Sequence, residues 1–469
     1  MIAEQGPETI RAGDEGFEGA VVDGVFNAMA VDGRPGEVVR PRTEAEVVRA
    51  VRDAVAAGER VAVRSGGHSW VASSVRDGGV LIDLGELDGI AVDAEAMVAT
   101  IGPGVRGKVL SAALDAHGLA FPVGHCGDPG VGGFLLGGGL GVNWGAWLPS
   151  CFSIRSLRGV TADGELRTAS LDENEELFWL ARGAGPGFPG VVTSFEVELR
   201  PAPAAVRVST WTYPLQELDA VTRWVTEASA GLAPNVEVAV VTQGVGRPGG
   251  AAEHPLVVGV AATVVIEADG AVDTDALAPL GDGAPGLVPL ERFEGPARLS
   301  ELHVPVDATY PEGARYLADT FWTHLPLEQA MAPLEELIAR APSGKSYVLT
   351  GMPANGRGAE LLPVGEAAYG MHDTTLLIVY VIWDNPADDA ANRAWLDEVA
   401  AALLPTCTGH VLSEADIRAH PERIARSFRE VDWPRIKELI ARFDPDGLFH
   451  GFPVTTRTTT PGAPRSPAL

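Results

Sequence analysis

Positive charge is scarce in this chain: 35 Lys and Arg stand against 63 Asp and Glu in 469 residues, a formal net charge of −28. No basic field exists to release counterions from a phosphate backbone, which excludes nucleic acid as a partner. Any anionic ligand must be held by local donors against the field of the whole molecule. Cysteine is scarce too. Cys126, Cys151 and Cys407 cannot all pair with one another, and their spacing is unlike a zinc site. Neither a disulfide framework nor a metal centre is expected, and a reducing compartment is the simplest reading. No apolar run approaches the ~20 residues that span a bilayer. The N-terminal Met-Ile-Ala-Glu-Gln-Gly-Pro-Glu lacks the basic and apolar regions of a signal peptide. The expectation is a soluble, cytoplasmic protein without membrane, metal or nucleic-acid partners; no internal repeat is present, and the oligomeric state is left open.

Glycine, by contrast, is abundant, with 56 residues. Two stretches concentrate it. Arg64-Ser65-Gly66-Gly67-His68-Ser69-Trp70 follows the apolar Val61-Ala62-Val63, where a buried strand can end abruptly. Its glycines let backbone N–H groups turn inward around an anion such as a pyrophosphate, with Arg64 as a charged donor at the rim. The second stretch, 118–145, carries eleven glycines around Phe134-Leu135-Leu136. It is too apolar for a flexible linker and reads as backbone packed against something flat and large.

Around these stretches the pattern alternates strands and helices. Thr43-Glu44-Ala45-Glu46 is a capping box opening a helix with Val47, Val48, Ala50, Val51, Ala54 and Val55 on one face. Strands are expected near 60–64, 80–84, 97–101 and 191–199, a helix at 172–181, and a hairpin at Asp163-Gly164. Pro201 to Pro203 marks a composition shift. Beyond it lie strand-like runs at 206–214, 236–242, 256–266, 346–351 and 374–383, with helices at 216–230, 325–340 and 388–402: an antiparallel sheet covered on one face. A surface loop is expected at 270–290 and helices at 415–443.

Gly102-Pro103-Gly104-Val105-Arg106-Gly107 matches the dinucleotide fingerprint after a strand and before a helix. The acidic residue expected ~20 positions on is replaced by the glycine run, so a nicotinamide-binding Rossmann unit is the weaker alternative.

Val-Ala-Val-Arg-Ser-Gly-Gly-His-Ser-Trp resembles the cofactor-attachment motif of the vanillyl-alcohol-oxidase superfamily, in particular the berberine-bridge-enzyme-like oxidases with a PCMH-type FAD domain. Phe26-Asn27, Val39-Arg40-Pro41, Asp83-Leu84, Gly102-Pro103-Gly104, Gly124–Gly141, Thr161-Ala162-Asp163-Gly164, Leu177-Phe178-Trp179, Val191–Phe195 and Asp444–Phe449 extend it in family order. The resemblance implies an α+β, two-domain PCMH-type FAD-binding fold: an FAD domain over 1–204, an antiparallel-sheet substrate domain covered by helices over 205–405, a segment 406–454 returning to the FAD domain, and a disordered tail over 455–469. It implies an FAD-linked oxidase that moves hydride from a small organic substrate (alcohol, sugar or secondary metabolite) to flavin, with O₂ as acceptor giving H₂O₂. Ser65 to Ser69 would cradle the pyrophosphate. Gly124, Gly132, Gly133, Gly138 and Val192 would line the cofactor. His68 would be joined to the flavin 8α-methyl carbon, and Cys126 to C6, as many members have it.

The family's Asn-Tyr before the last Asp-Pro turn aligns with Ser427-Phe428, and Phe428 cannot take a proton. Candidate bases are then Tyr310, Tyr316, Tyr347, Tyr369, Tyr380, His303 and His372, with Tyr347 and Tyr380 favoured because their strands could face the flavin. Asp128 is read as a turn residue. A protein that keeps FAD only as scaffold, and a dehydrogenase that avoids O₂, remain alternatives.

Overall fold

A computed structural model describes residues 6–29, 33–242, 256–268, 276–353 and 362–453. The tail expected to be disordered lies outside the described residues, as does part of the 270–290 loop.

The first sheet has the order β1 (Glu8–Arg11), β2 (Glu37–Arg40), β4 (Val80–Asp83), β3 (Val61–Arg64), with β2, β4 and β3 parallel. Helix Glu44–Ala57 makes the crossover from β2 to β3 and buries Val47, Ala50, Val51 and Ala54. Thr43 caps it by accepting the Glu46 N–H at 3.2 Å, while the Glu46 carboxylate reaches back to the Arg42 N–H, one residue before the reciprocal partner of a standard capping box. The second sheet is antiparallel: β5 (Ile90–Asp93), β6 (Val98–Ile101), β10 (Gly190–Glu198), β8 (Ile154–Thr161), β9 (Leu166–Ser170). Its β8–β9 connection is the expected Asp163-Gly164 turn, with Gly164 at φ 73°. Val160 and Val191 from this sheet share a core with Val39, Val61, Ile82 and the C-terminal Leu448 and Phe449. Residues 448–450 are pinned there: Val61 N–H donates to Leu448, and His450 N–H to Val61. A ribbon of β7 (Leu119–Ala120) and β11 (Arg200–Pro201) precedes the larger sheet.

That sheet has eight strands in the order β15 (Glu291–Ala297), β12 (Ala205–Pro214), β14 (Val257–Ile266), β13 (Val236–Thr242), β17 (Tyr347–Pro353), β18 (Thr375–Trp383), β16 (Arg315–Thr323), β19 (Cys407–Gly409). Helices Leu218–Ser229, Leu327–Met331 and Asp389–Leu403 cover one face and close a large core. The other face meets the first half of the chain, so all nine residues of β18 are buried.

Three departures from the sequence reading have physical causes. β16 was not expected, because Arg315 and Asp319 interrupt its apolar pattern; both are buried and paired, Arg315 with Asp389 at 2.6 Å and Asp319 with Arg423. β15 carries Gly295 and Pro296, which an edge strand tolerates. The helix expected over 325–340 is broken by a 3-10 turn at Ala332–Leu334, where Pro333 lacks the N–H an α-helix requires.

Candidate active site

Three loops are locked together behind β3. Gly67 has φ 70°, and a Cβ there would overlap the Gly24 carbonyl oxygen; a Cβ at Gly66 would overlap the Gly130 N–H. Ser65 Oγ donates to the Pro103 carbonyl at 2.5 Å, Gly132 N–H donates to the same carbonyl at 3.0 Å, and Arg106 Nη1 donates to Gly66 and Asp128 carbonyls. With its outward carbonyls consumed, the 66–69 turn keeps its amides: the N–H groups of Gly66, Gly67, His68 and Ser69 donate to no acceptor among the described residues. That is a nest for an anion.

The same locking disposes of the dinucleotide fingerprint. Gly102, Gly104 and Gly107 give their N–H groups to the Gly89, Leu87 and Pro129 carbonyls, and the strand before them, β6, pairs antiparallel on both sides. The glycine amides are taken, and no parallel βαβ unit surrounds them to receive a nicotinamide dinucleotide.

Arg64 is not at the rim. It is 2% exposed, and its guanidinium donates to the Ala20 and Val21 carbonyls and, at 2.7 Å, to Asp83. Its charge is spent tying the end of β3 to β4 and to helix Phe17–Val22.

The nest opens into a cavity of ≈ 800 Å³ between the glycine-rich loops and the uncovered face of the eight-stranded sheet. Ser65 to Ser69, Gly124, Cys126, Gly132, Gly133 and Val192 line it. A Cβ at Gly133 would meet nothing within 4 Å, so that position is open for close approach of a ring. Gly138 does not line the cavity; it has φ 108°, and its missing Cβ makes room for the Tyr369 ring.

His68 stacks on Phe26, with ring centroids 4.8 Å apart and planes 2° off parallel. Burial, aided by the Arg106 charge, holds its imidazole down to about 4, so it is neutral at neutral pH. Cys126 Sγ–H donates to Asp307 Oδ1 at 3.1 Å; burial and that carboxylate push the thiol up to about 12. Asp128 pairs with Lys108 at 2.5 Å.

Tyr347 and Tyr380 do face the cavity, directly opposite each other in the β17–β18 register, with Tyr310 beside them. Tyr347 Oη donates to Tyr310 Oη at 3.0 Å, and Tyr380 Oη donates to Glu414 Oε2 at 3.0 Å, its ring stacked on Trp70. Burial pushes the Tyr347 phenol up to about 12 and those of Tyr380 and Tyr310 well above their usual value. These groups are donors at neutral pH, not bases.

Glu414 is the group the sequence reading missed. Burial raises its pKa, offset in part by the Tyr380 hydroxyl and the His125 charge. His125 Nε2 lies 3.2 Å from Glu237; burial lowers the imidazole most, but the Glu237 charge and hydrogen bond together with the Glu414 charge and the Leu140 carbonyl leave it raised. The available signal was a lone carboxylate closing the apolar run His410-Val411-Leu412-Ser413-Glu414. The other candidates fall elsewhere. Tyr316 donates to the Pro311 carbonyl, Tyr369 is packed against Gly138 and Gly183, and His372 lies between Trp144 and Trp322. His303 holds Asp307. Phe428 stacks on Trp433 at 5.4 Å in the core and does not line the cavity, so nothing about the chemistry follows from its lack of a hydroxyl.

Among the described residues no helix is long and apolar enough to cross a membrane. Residues 35–170 match the FAD binding domain family. An FAD-linked oxidoreductase of Penicillium ochrochloron is 34% identical over 298 residues, 63% of this chain and 65% of that protein. The solved structure of BBE-like 1 of Physcomitrella patens superposes with a TM-score of 0.81 over 96% of both chains at 19% identity. That of 6-hydroxy-D-nicotine oxidase of Arthrobacter nicotinovorans does so with 0.80, over 95% of this chain and 97% of that one, at 24% identity.

Proposed function

We propose that the chain, which shares the two-domain α+β fold of the BBE-like and nicotine-oxidase structures, is a berberine-bridge-enzyme-like FAD-linked oxidoreductase that oxidises a small, largely apolar organic molecule, with Glu414 taking the substrate's proton and FAD attached to His68 and Cys126. The observation that carries the reading is the placement of the Tyr380–Glu414 pair and the His68 turn on the same cavity.

FAD, when bound, supplies the acceptor for the substrate's hydride and passes the electrons to O₂, giving H₂O₂. The chain supplies the rest. The free amides of Gly66 to Ser69 hold the pyrophosphate in a molecule whose net charge would otherwise repel it. His68, neutral and stacked on Phe26, presents a ring nitrogen lone pair for the attachment. Glu414, its pKa raised by burial, accepts the proton from the substrate O–H or N–H in its ionised form, and Tyr380 fixes its orientation by donating to Oε2. Tyr347 and Tyr310 add a hydroxyl pair beside it. Ala239, Val241, Ala261, Leu349 and Ile378 give the sheet wall a mainly apolar surface, with Thr210, Thr212, Thr263 and Glu237 as its polar positions beside the tyrosines. That wall suits an alcohol or amine on an apolar skeleton, as in secondary metabolites, better than a sugar.

The test is acid precipitation followed by anaerobic reduction. Flavin colour in the pellet and a mass increase of one FAD support the attachment; flavin entirely in the supernatant overturns it. Substrates of the stated class should bleach the oxidised flavin band without air, and air should restore it with stoichiometric peroxide. Dye reduction without peroxide would instead identify a dehydrogenase.

A further inference from the structure

One carboxylate at the cavity edge has no part in the substrate chemistry. Asp307 closes the short helix His303–Asp307, which the second half of the chain sets against the head of the glycine run. Its Oδ1 accepts both the Gly127 N–H at 2.8 Å and the Cys126 Sγ–H at 3.1 Å, and its Oδ2 lies 2.8 Å from His303 Nδ1. The contact is tight: a Cβ on Gly127 would stand 2.8 Å from His303 Nδ1 and 2.9 Å from Asp307 Oδ2.

We propose that Asp307 is the base that takes the Cys126 thiol proton as the sulfur bonds to the flavin ring, with His303 as the positioning residue that aims the carboxylate. The proposal rests on the reading above that Cys126 carries flavin. Geometry selects Asp307: its Oδ1 accepts the thiol proton at 3.1 Å, whereas the Asp128 backbone N–H that also reaches the sulfur is a donor and cannot take a proton. The neighbouring acid, Asp128, is engaged by Lys108, and His125 is turned to Glu237. Chemistry asks for it as well. The buried thiol does not ionise by itself at neutral pH, so its proton must leave as the S–C bond forms. Asp307 is a carboxylate ready to receive it, since the Gly127 N–H, the Cys126 thiol and His303 together outweigh its burial and lower its pKa. The balance closes with dioxygen as oxidant. One S–H bond and one ring C–H bond are lost, one S–C bond is gained, and two protons and two electrons reduce O₂ to H₂O₂.

The test follows covalent labelling, not turnover. Full-length wild type, Asp307→Asn, Asp307→Glu and His303→Asn are incubated with FAD in air between pH 6 and 9. They are quenched in acid, digested, and the His68 and Cys126 peptides are weighed. The charged and titratable groups facing the pair are Asp128, Lys108, His303, His68, Tyr316 and Tyr347. In wild type the Cys126 peptide should gain flavin at a rate nearly independent of pH. Asp307→Asn should slow it at least ~100-fold, with a rate rising about tenfold per pH unit as hydroxide replaces the base. Asp307→Glu should restore it to within ~10-fold. His303→Asn should slow labelling ~10-fold while keeping the flat profile. The His68 peptide should label alike in all four proteins. Cys126 labelling at the wild-type rate in Asp307→Asn overturns the proposal, and so does a parallel loss of His68 labelling, which would mark a structural role. If wild-type Cys126 never gains flavin while His68 does, the reading of a second attachment fails and the proposal falls with it.

Discussion

Tyr380 and Glu414 are 34 positions apart and meet at 3.0 Å, the phenol donating and the carboxylate accepting. Each makes sense only with the other: the phenol is too weak an acid to ionise there, and the carboxylate would otherwise be buried with its charge unmet.

Glu414→Gln should lower the rate of anaerobic flavin reduction by ~10²–10⁴-fold with FAD still bound, and Tyr380→Phe by less. The sign of the pH effect follows from burial. Because the Glu414 pKa is raised, the reductive rate should rise with pH through a limb above the usual carboxylate range and level off once the group is ionised. Rapid mixing across pH should show that limb in wild type and its absence in Glu414→Gln.

His68→Ala should leave flavin in the acid pellet held by Cys126 alone, and His68→Ala with Cys126→Ser should release all of it. Intact mass distinguishes the three proteins.

Gly67 and Gly133 predict opposite outcomes from one substitution. Gly67→Ala forces a Cβ into the Gly24 carbonyl at a positive φ and should prevent folding of the 64–70 turn. Gly133→Ala meets open space within helix Val131–Leu136 and should fold as well as wild type or better. It should nevertheless weaken FAD retention at least ~10-fold, since the added methyl enters the cavity. Thermal melts and equilibrium flavin release separate the two.

Arg64→Leu should cost about 3 kcal/mol of stability, because Asp83 loses its buried partner. The check is urea unfolding of flavin-free protein. A rim donor would instead have changed flavin affinity alone.

Acid should destabilise the protein earlier than its carboxylates require. Burial holds His410 down to about 3, whereas the unfolded chain takes up that proton near 6.5. The unfolded state therefore binds more protons below 6.5, and stability falls as pH drops from there towards 3, by about 1.4 kcal/mol per pH unit for this one group. His68, His372 and His450, each held at about 4, act in the same direction. Unfolding free energies between pH 6 and 5 should show this slope, and His410→Gln should reduce it by about one proton.

What the chain determines by itself is what neighbours in sequence can decide. The turn at 64–70, the Asp163-Gly164 hairpin, the Thr43 cap and the period-2 strands β12, β13 and β14 were legible because their causes act over a few residues: glycine at a positive φ, a side chain capping its own helix, alternation across a pleat. The motif at 64–70 and the glycine run were enough to point to flavin. Tertiary structure alone decided where charges and protons go. Arg64 looked like an anion donor until the fold placed Asp83 beside it, and β16 was invisible because Asp319 and Arg315 are neutralised by partners 104 and 74 positions away. Phe428 lost its meaning when the segment facing the cavity proved to be 411–414. Glu414 and Asp307 acquired theirs from Tyr380 and Cys126, the second pair 181 positions apart. The reason is the range of the forces: local geometry is encoded residue by residue, whereas the worth of a charged group depends on burial and on partners that only the folded chain brings together.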